Sequence, residues 1–276
     1  MSDKLSDLAI EPPEPSDFEE NAHQRQLAGW AARIEIFAAL SFSTYQIAVA
    51  AFHPFSSLII RAVHVSFLLL LIFLLYPSSS KGRLDKYVPW YDAVLATAGF
   101  ALGFYHMVFE GDLIERSGDP NTADLVVASL ATVLVFEAAR RVMGWALPLV
   151  CGTFLAYAFF GQYLPVSIAH RGFGFDQIVS QLYLGSDGIL GIPTLVSATY
   201  IFLFILFGAF LEHAGMIRLF NALALGLVGH AKGGPAKVAV ISSGLMGTIS
   251  GSGVANVLTV GQFTIPLMKR FGYTSV

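Results

Sequence analysis

The run Gly247-Thr-Ile-Ser-Gly-Ser-Gly-Val-Ala-Asn256 gathers glycine, hydroxyl and amide groups between two apolar arms. Gly247, Gly251 and Gly253 let the backbone leave helical geometry and turn carbonyl oxygens outward. Thr248, Ser250, Ser252, Asn256 and Thr259 add uncharged oxygens. Helix ends broken at such a point aim N–H dipoles at an anion and C=O dipoles at a cation. Neutral oxygens suit a weakly held monovalent ion, so Ser250, Ser252 and Asn256 are read as ligands for sodium. A transition-metal site would need Cys, His or carboxylates, and the run holds none. It also lacks the Gly-Lys-Ser/Thr of a phosphate loop. Close helix packing would account for Gly247 and Gly251, four residues apart, but not for five hydroxyl or amide groups within 248–259.

The arms that must position this run, Ala236 to Ile249 and Val257 to Met268, are each shorter than the roughly 20 apolar residues of a bilayer crossing. Lys232 and Lys237 precede the first arm, and Lys269 and Arg270 follow the second. Both ends therefore read as cytoplasmic, and residues 235–268 as a re-entrant hairpin with its polar tip at depth. Broken backbone survives there only where protein or a watery cavity satisfies it.

Of 276 residues, 55% are hydrophobic and 13% charged, with a mean hydropathy of +0.66. Soluble domains carry about 25% charged residues. The composition specifies an all-α integral membrane protein, a polytopic helical bundle in the lipid bilayer. A net charge of −3 offers no footprint for nucleic acid, and no cofactor is expected. Residues 1–29 are acidic and proline-bearing and read as a disordered cytoplasmic tail. With no cleavable leader visible, the first helix is expected to act as the insertion signal. Cys151 lies in an apolar run and reads as a small packing residue.

Apolar runs over 30–52, 54–76, 90–109, 123–139, 144–164 and 189–212 predict spanning helices. The shorter 216–229 reads as an interfacial connector, and 173–188 as a helix lying flat on the opposite surface. With the N-terminus cytoplasmic, only Arg61, Arg116 and Arg171 of the 16 basic residues fall outside or near it, leaving 13 inside. Residues 30–142 form one block of four helices, and the second block, 143–276, is expected to continue into a longer polypeptide.

Other polar residues in the spans read first as structural. Glu137 and Arg140 share a helical face at i,i+3. Arg61 and His64 sit a turn apart, placed to snorkel or to anchor a contact. Glu35 belongs near headgroups. His106 and Glu110 stand beside an acidic loop, Glu110 to Glu115, and Glu212-His213 ends the sixth helix as a minor candidate for proton coupling.

The runs Phe204-Ile-Leu-Phe-Gly-Ala-Phe-Leu211, Gly233-Gly-Pro-Ala-Lys-Val-Ala-Val240, Gly247-Thr-Ile-Ser-Gly-Ser252 with Ala255-Asn256, and Gly261-Gln-Phe-Thr-Ile-Pro-Leu-Met-Lys-Arg270 closely resemble the fused permease of TAXI-type TRAP transporters. Glu137-Ala-Ala-Arg-Arg141 extends the resemblance into the first block. It implies an elevator-type secondary transporter of the bacterial inner membrane, working with a periplasmic TAXI-type solute-binding protein. Residues 30–142 would be the small-subunit-like scaffold, and 143–276 the first part of the large transport subunit. By motif, Ser250, Gly251, Ser252 and Asn256 would bind a small organic anion and coupling sodium, with Thr259 and Gly261 beside them. The family's second inverted repeat is not in this sequence, so half of the site is expected here, and transport by these residues alone is not.

The leading function is thus ion-driven import of small organic acids, since no nucleotide-binding motif supplies another energy source. A channel would need a polar lining along its whole length, whereas polarity concentrates at one tip. A non-transporting scaffold or assembly subunit is the alternative from another class. An intramembrane enzyme finds no paired catalytic residues.

Overall fold

The computed structural model describes residues 24–79, 86–249 and 253–273, which are all helix, turn and coil with no strand among them. Helices α1 (Trp30–Phe52), α2 (Ser57–Leu75), α3 (Trp90–Glu115), α4 (Thr122–Met143), α5 (Ala146–Phe160), α6 (Phe175–Tyr183) and α7 (Ile192–Val196) lie in one compact unit, His23–Leu203. A second unit takes in Phe204–Val276, with α8 (Phe202–His213) entering it and α9 (Met216–Val228), α10 (Gly234–Gly247) and α11 (Gly253–Arg270) following. Among the described residues six helices are long and apolar enough to cross a membrane, one for each apolar run read from the sequence.

In the first unit, α2 and α3 pack closely because α3 carries Gly99 and Gly103 one turn apart. A Cβ on Gly99 would stand 2.8 Å from Leu69 Cβ, and one on Gly103 2.6 Å from Ser66 Oγ. Without a hydrophobic drive between helices in lipid, small residues of this kind let backbones approach. Ala128, Ala131 and Ala138 do the same on α4, and the core they join includes Phe73, Leu134, Tyr183 and Leu190. That core runs past residue 142: α6 buries Ile178, Val179 and Tyr183 in it and leaves Phe175 exposed.

Buried charge ties the ends of these helices together. Asp92, in the first turn of α3, is fully buried between Arg25 and Arg141, whose side chains are 1% and 2% exposed. Its Oδ1 lies 2.8 Å from Arg141, and Oδ2 accepts from Arg25. Arg141 also reaches Glu137 at 2.8 Å and stacks over Phe73, while Glu137 pairs with Arg140 at 2.7 Å as its spacing predicts. Arg25 further donates to the Phe73 and Leu74 carbonyls, and the Arg25 amide to Leu75 at 2.7 Å. Gln24, Arg25 and Ala28, which composition places in the tail, are therefore tied to the end of α2, to Lys86 and to Asp92 of α3.

Arg61 and His64 turn inward rather than snorkelling. Arg61 donates to the Leu190 carbonyl at 2.6 Å and to Ser57 Oγ at 3.2 Å. His64 contacts Gln46 of α1 and, at 3.1 Å, Ser197. Ser197 opens a π-turn, Ser197–Ile201, inside the last predicted span. The acidic run 110–115 is helical, not a loop: α3 bends at Phe109 and continues to Glu115. Arg116 holds that end, ion-paired with Asp112 at 3.8 Å and with Asp124 at 3.2 Å, while Asp124 and Asn121 form a reciprocal cap on α4. Glu110 accepts from Ser56, the α2 cap. His106 is buried, its ring edge-on to Tyr183 at 4.9 Å. Cys151 is exposed on α5 rather than packed.

Candidate functional site

The hairpin is built by its end signals. Gly233 takes φ +72°, a left-handed turn that a β-carbon would strain, and Pro235 follows in the first turn of α10. At the far end, Thr248 donates its hydroxyl to the Leu245 carbonyl at 2.6 Å, while the Thr248 and Ile249 amides reach back three residues to Leu245 and Met246. These tighter bonds close the last turn and stop the helix. At 14 and 18 residues, α10 and α11 are about 21 and 27 Å long, short of a hydrocarbon core of roughly 30 Å. Pro266 removes one ladder bond from α11.

On α10, Gly234, Val238, Ser242 and Met246 recur every fourth residue and form its buried stripe. On α11, Val260 and Thr264 are buried, with Thr264 bonded back to Val260 at 2.9 Å. Asn256 lies one turn nearer the tip. Its Nδ2 donates to the backbone oxygen of Ser243 at 3.0 Å and to Ser243 Oγ at 3.2 Å, tying the two arms together. A Cβ on Gly247 would stand 3.6 Å from the same nitrogen, an ordinary contact. With the amide nitrogen committed, Asn256 Oδ1 is buried without a hydrogen-bond partner among the described residues, and so is Ser242 Oγ. Buried acceptors of this kind are uncommon and cost free energy unless something meets them. The tip is also approached by α8, where a Cβ on Gly208 would come 2.9 Å from the Ile249 carbonyl.

Of the residues singled out by sequence, Ser250, Gly251 and Ser252 lie outside the described residues. Asn256 is at the base of the tip. Thr259 is on α11, three residues along, and Gly261 is five residues from Asn256 on another face. The nearest atom to a Cβ on Gly261 would be Ile265 Cδ1 of its own helix, at 3.5 Å, so packing does not demand glycine there. Sequence reading missed Ser243, Ser242 and Gly208. Ser243 was within reach: folding the chain about residues 249 and 250 sets it opposite Asn256. Among the described residues no group of three or more His, Cys, Asp or Glu converges to hold a metal ion. The acceptors on offer are neutral amide, hydroxyl and carbonyl oxygens, a set matched to a hard monovalent cation.

Residues 130–276 match the family model of the tripartite ATP-independent periplasmic transporter, DctM component. The match takes in the whole hairpin and begins within α4. The chain is similar to the C4-dicarboxylate TRAP transporter large permease protein DctM of Pseudomonas aeruginosa, 41% identical over 70 residues, 25% of this chain and 16% of that protein. It is 32% identical over 100 residues to the protein of the same description from Rhodobacter capsulatus, 36% of this chain and 21% of that one. The 2,3-diketo-L-gulonate TRAP transporter large permease protein YiaN of Escherichia coli is 32% identical over 100 residues, 35% of this chain and 21% of its own length. The chain thus spans about a fifth of the length of these curated relatives. No solved structure matches it.

Proposed function

The chain belongs to the DctM-component family of tripartite ATP-independent periplasmic transporters, and on that premise we propose that it serves ion-gradient-driven import of small organic acids. The reading is that of a TAXI-type permease in which residues 30–142 act as small-subunit-like scaffold and 143–276 open the large transport subunit. A periplasmic TAXI-type binding protein would deliver the substrate, and the chain would sit in a bacterial inner membrane with its N-terminus cytoplasmic. The carboxylate relatives in the comparison favour an organic anion as cargo.

Within the hairpin, Ser250, Gly251, Ser252 and Asn256 would bind the anion and its sodium partner, with Thr259 and Gly261 adjoining. The observation that carries this reading is the split role of Asn256. Its nitrogen braces the two arms through Ser243, and its buried Oδ1 finds no partner among the described residues and is left as an acceptor beside the tip. A cation there would receive a neutral oxygen already oriented, so little ordering is left for binding.

The test is sodium binding to the purified protein by calorimetry, with Asn256→Ala and Ser243→Ala compared. The expected result is at least a tenfold loss of sodium affinity in Asn256→Ala, with a smaller loss in Ser243→Ala, while both remain folded. Unchanged sodium affinity in folded Asn256→Ala would refute the site, and would leave Asn256 as a brace alone.

A further inference from the structure

The segment that follows α8 carries an imbalance of charge that the transport reading does not use. From Ala214 to Val276 the chain holds Arg218, Lys232, Lys237, Lys269 and Arg270 and no Asp or Glu. Four of these five gather at one end. Lys232 lies in the turn between α9 and α10, Lys237 in the first turn of α10, and Lys269 and Arg270 in the last turn of α11. Since α10 and α11 run antiparallel as a hairpin, the start of one lies beside the end of the other. The contact of Tyr273 with the turn confirms this, its hydroxyl 3.7 Å from where a Cβ on Gly233 would sit. All four cations are exposed.

A groove of about 310 Å³ opens beside this corner, between α9 and α10. Val228, Ala236, Val240 and Ile241 make its walls, and Lys237 stands at its edge. Val240 is 73% exposed, so the wall faces outward from the unit. An apolar groove with Lys237 at its edge, close in sequence to Lys232, has the polarity of a phospholipid: hydrocarbon along the walls, phosphate at the lysine end. Basic clusters at a helix end attract anionic headgroups, at about 1 kcal/mol per Lys or Arg. A zwitterionic lipid has no net charge to answer the excess.

We propose that the α9–α10 groove binds one acyl chain of an anionic phospholipid, with the headgroup phosphate held by Lys237 and Lys232. The positive-inside rule puts this end of the hairpin, and so the lipid, in the cytoplasmic leaflet. The site is separate from the Asn256 tip and does not depend on what the tip carries.

The test uses the whole chain in detergent with an equimolar mixture of dioleoylphosphatidylglycerol and dioleoylphosphatidylcholine, bound lipid being read by native mass spectrometry. Retained phosphatidylglycerol should exceed phosphatidylcholine at least fivefold. Lys237→Gln should lower phosphatidylglycerol retention about fivefold, the factor for one lost headgroup contact. Ala236→Trp fills the groove without changing charge and should lower it comparably, whereas Arg33→Gln on α1 should leave it unchanged. Glycerol phosphate, which has the headgroup charge without the chains, should fail to compete at equal concentration. Equal retention of the two lipids, full competition by glycerol phosphate, or retention unaffected by both Lys237→Gln and Ala236→Trp would each overturn the proposal.

Discussion

Asp92→Asn is the substitution that bears hardest on how the first unit holds together. The carboxylate is fully buried between two guanidinium groups that are themselves 1% and 2% exposed, so its charge is their compensation. Removing one partner of a buried ion pair costs about 3–5 kcal/mol, because the other charge stays buried and unmatched. Here the loss is uneven. Arg141 would keep Glu137 at 2.8 Å and the Tyr76 carbonyl at 3.0 Å. Among the described residues Arg25 would keep only the carbonyls of Phe73 and Leu74, at 3.4 and 3.3 Å. With one cation still answered, the expected cost is near the lower bound, about 3 kcal/mol. The assay is reversible unfolding in mixed micelles with increasing dodecyl sulfate, comparing Asp92→Asn, Arg25→Met and the double variant. Removing Arg25 as well takes away the orphaned cation, so the double variant should be more stable than the sum of single losses by at least about 1.5 kcal/mol. The reasoning fails if Asp92→Asn costs less than about 1 kcal/mol, or if the single losses add to within about 0.5 kcal/mol.

Other outcomes follow from close contacts and orphaned groups. Gly161→Ala would place a Cβ 2.0 Å from His170 Nε2 and push the ring off the Tyr157 carbonyl, which it contacts at 2.9 Å. A loss of about 1–3 kcal/mol is expected by thermal unfolding, whereas Gly111→Ala, with open space around it, should gain up to about 1 kcal/mol. Tyr183 is fully buried and its hydroxyl has no partner among the described residues, so Tyr183→Phe should raise stability by about 1 kcal/mol at neutral pH. Burial also raises the Tyr183 phenol above its ordinary 10.0. The phenol therefore adds no pH dependence to stability below pH 10, and stability falls as pH climbs beyond, when the unfolded phenol ionises first. Unfolding at pH 8 and pH 11 should show a larger alkaline loss in the parent protein than in Tyr183→Phe.

The spans were legible because hydrocarbon demands a long unbroken apolar run, and each such run became a helix. The Glu137–Arg140 pair was legible because i,i+3 spacing fixes proximity within one helix. What sequence could not show was pairing set by packing between helices. Arg25 and Asp92 are 67 residues apart, and nothing local marks them as partners. Arg61 was visible as a cation in a span, but its acceptor is the Leu190 backbone carbonyl, which has no sequence signature. The acidic run after Glu110 was read as a loop because charge was taken for irregular structure. Charge marks contact with water, and α3 keeps its helix through that run. At the hairpin, composition singled out the polar run, while Ser243 was passed over because it stood in an arm defined as apolar.

The clip around Asp92 also imposes an order on biogenesis. The chain emerges from its N-terminus, so Arg25 leaves the ribosome first, Asp92 follows 67 residues later, and Arg141 a further 49 (141 less 92). Until α4 has been synthesised and inserted, the segment ahead of α1 has only part of the assembly that buries it. Its closure is a late event in the making of the first unit, and it records that α2, α3 and α4 have found one another.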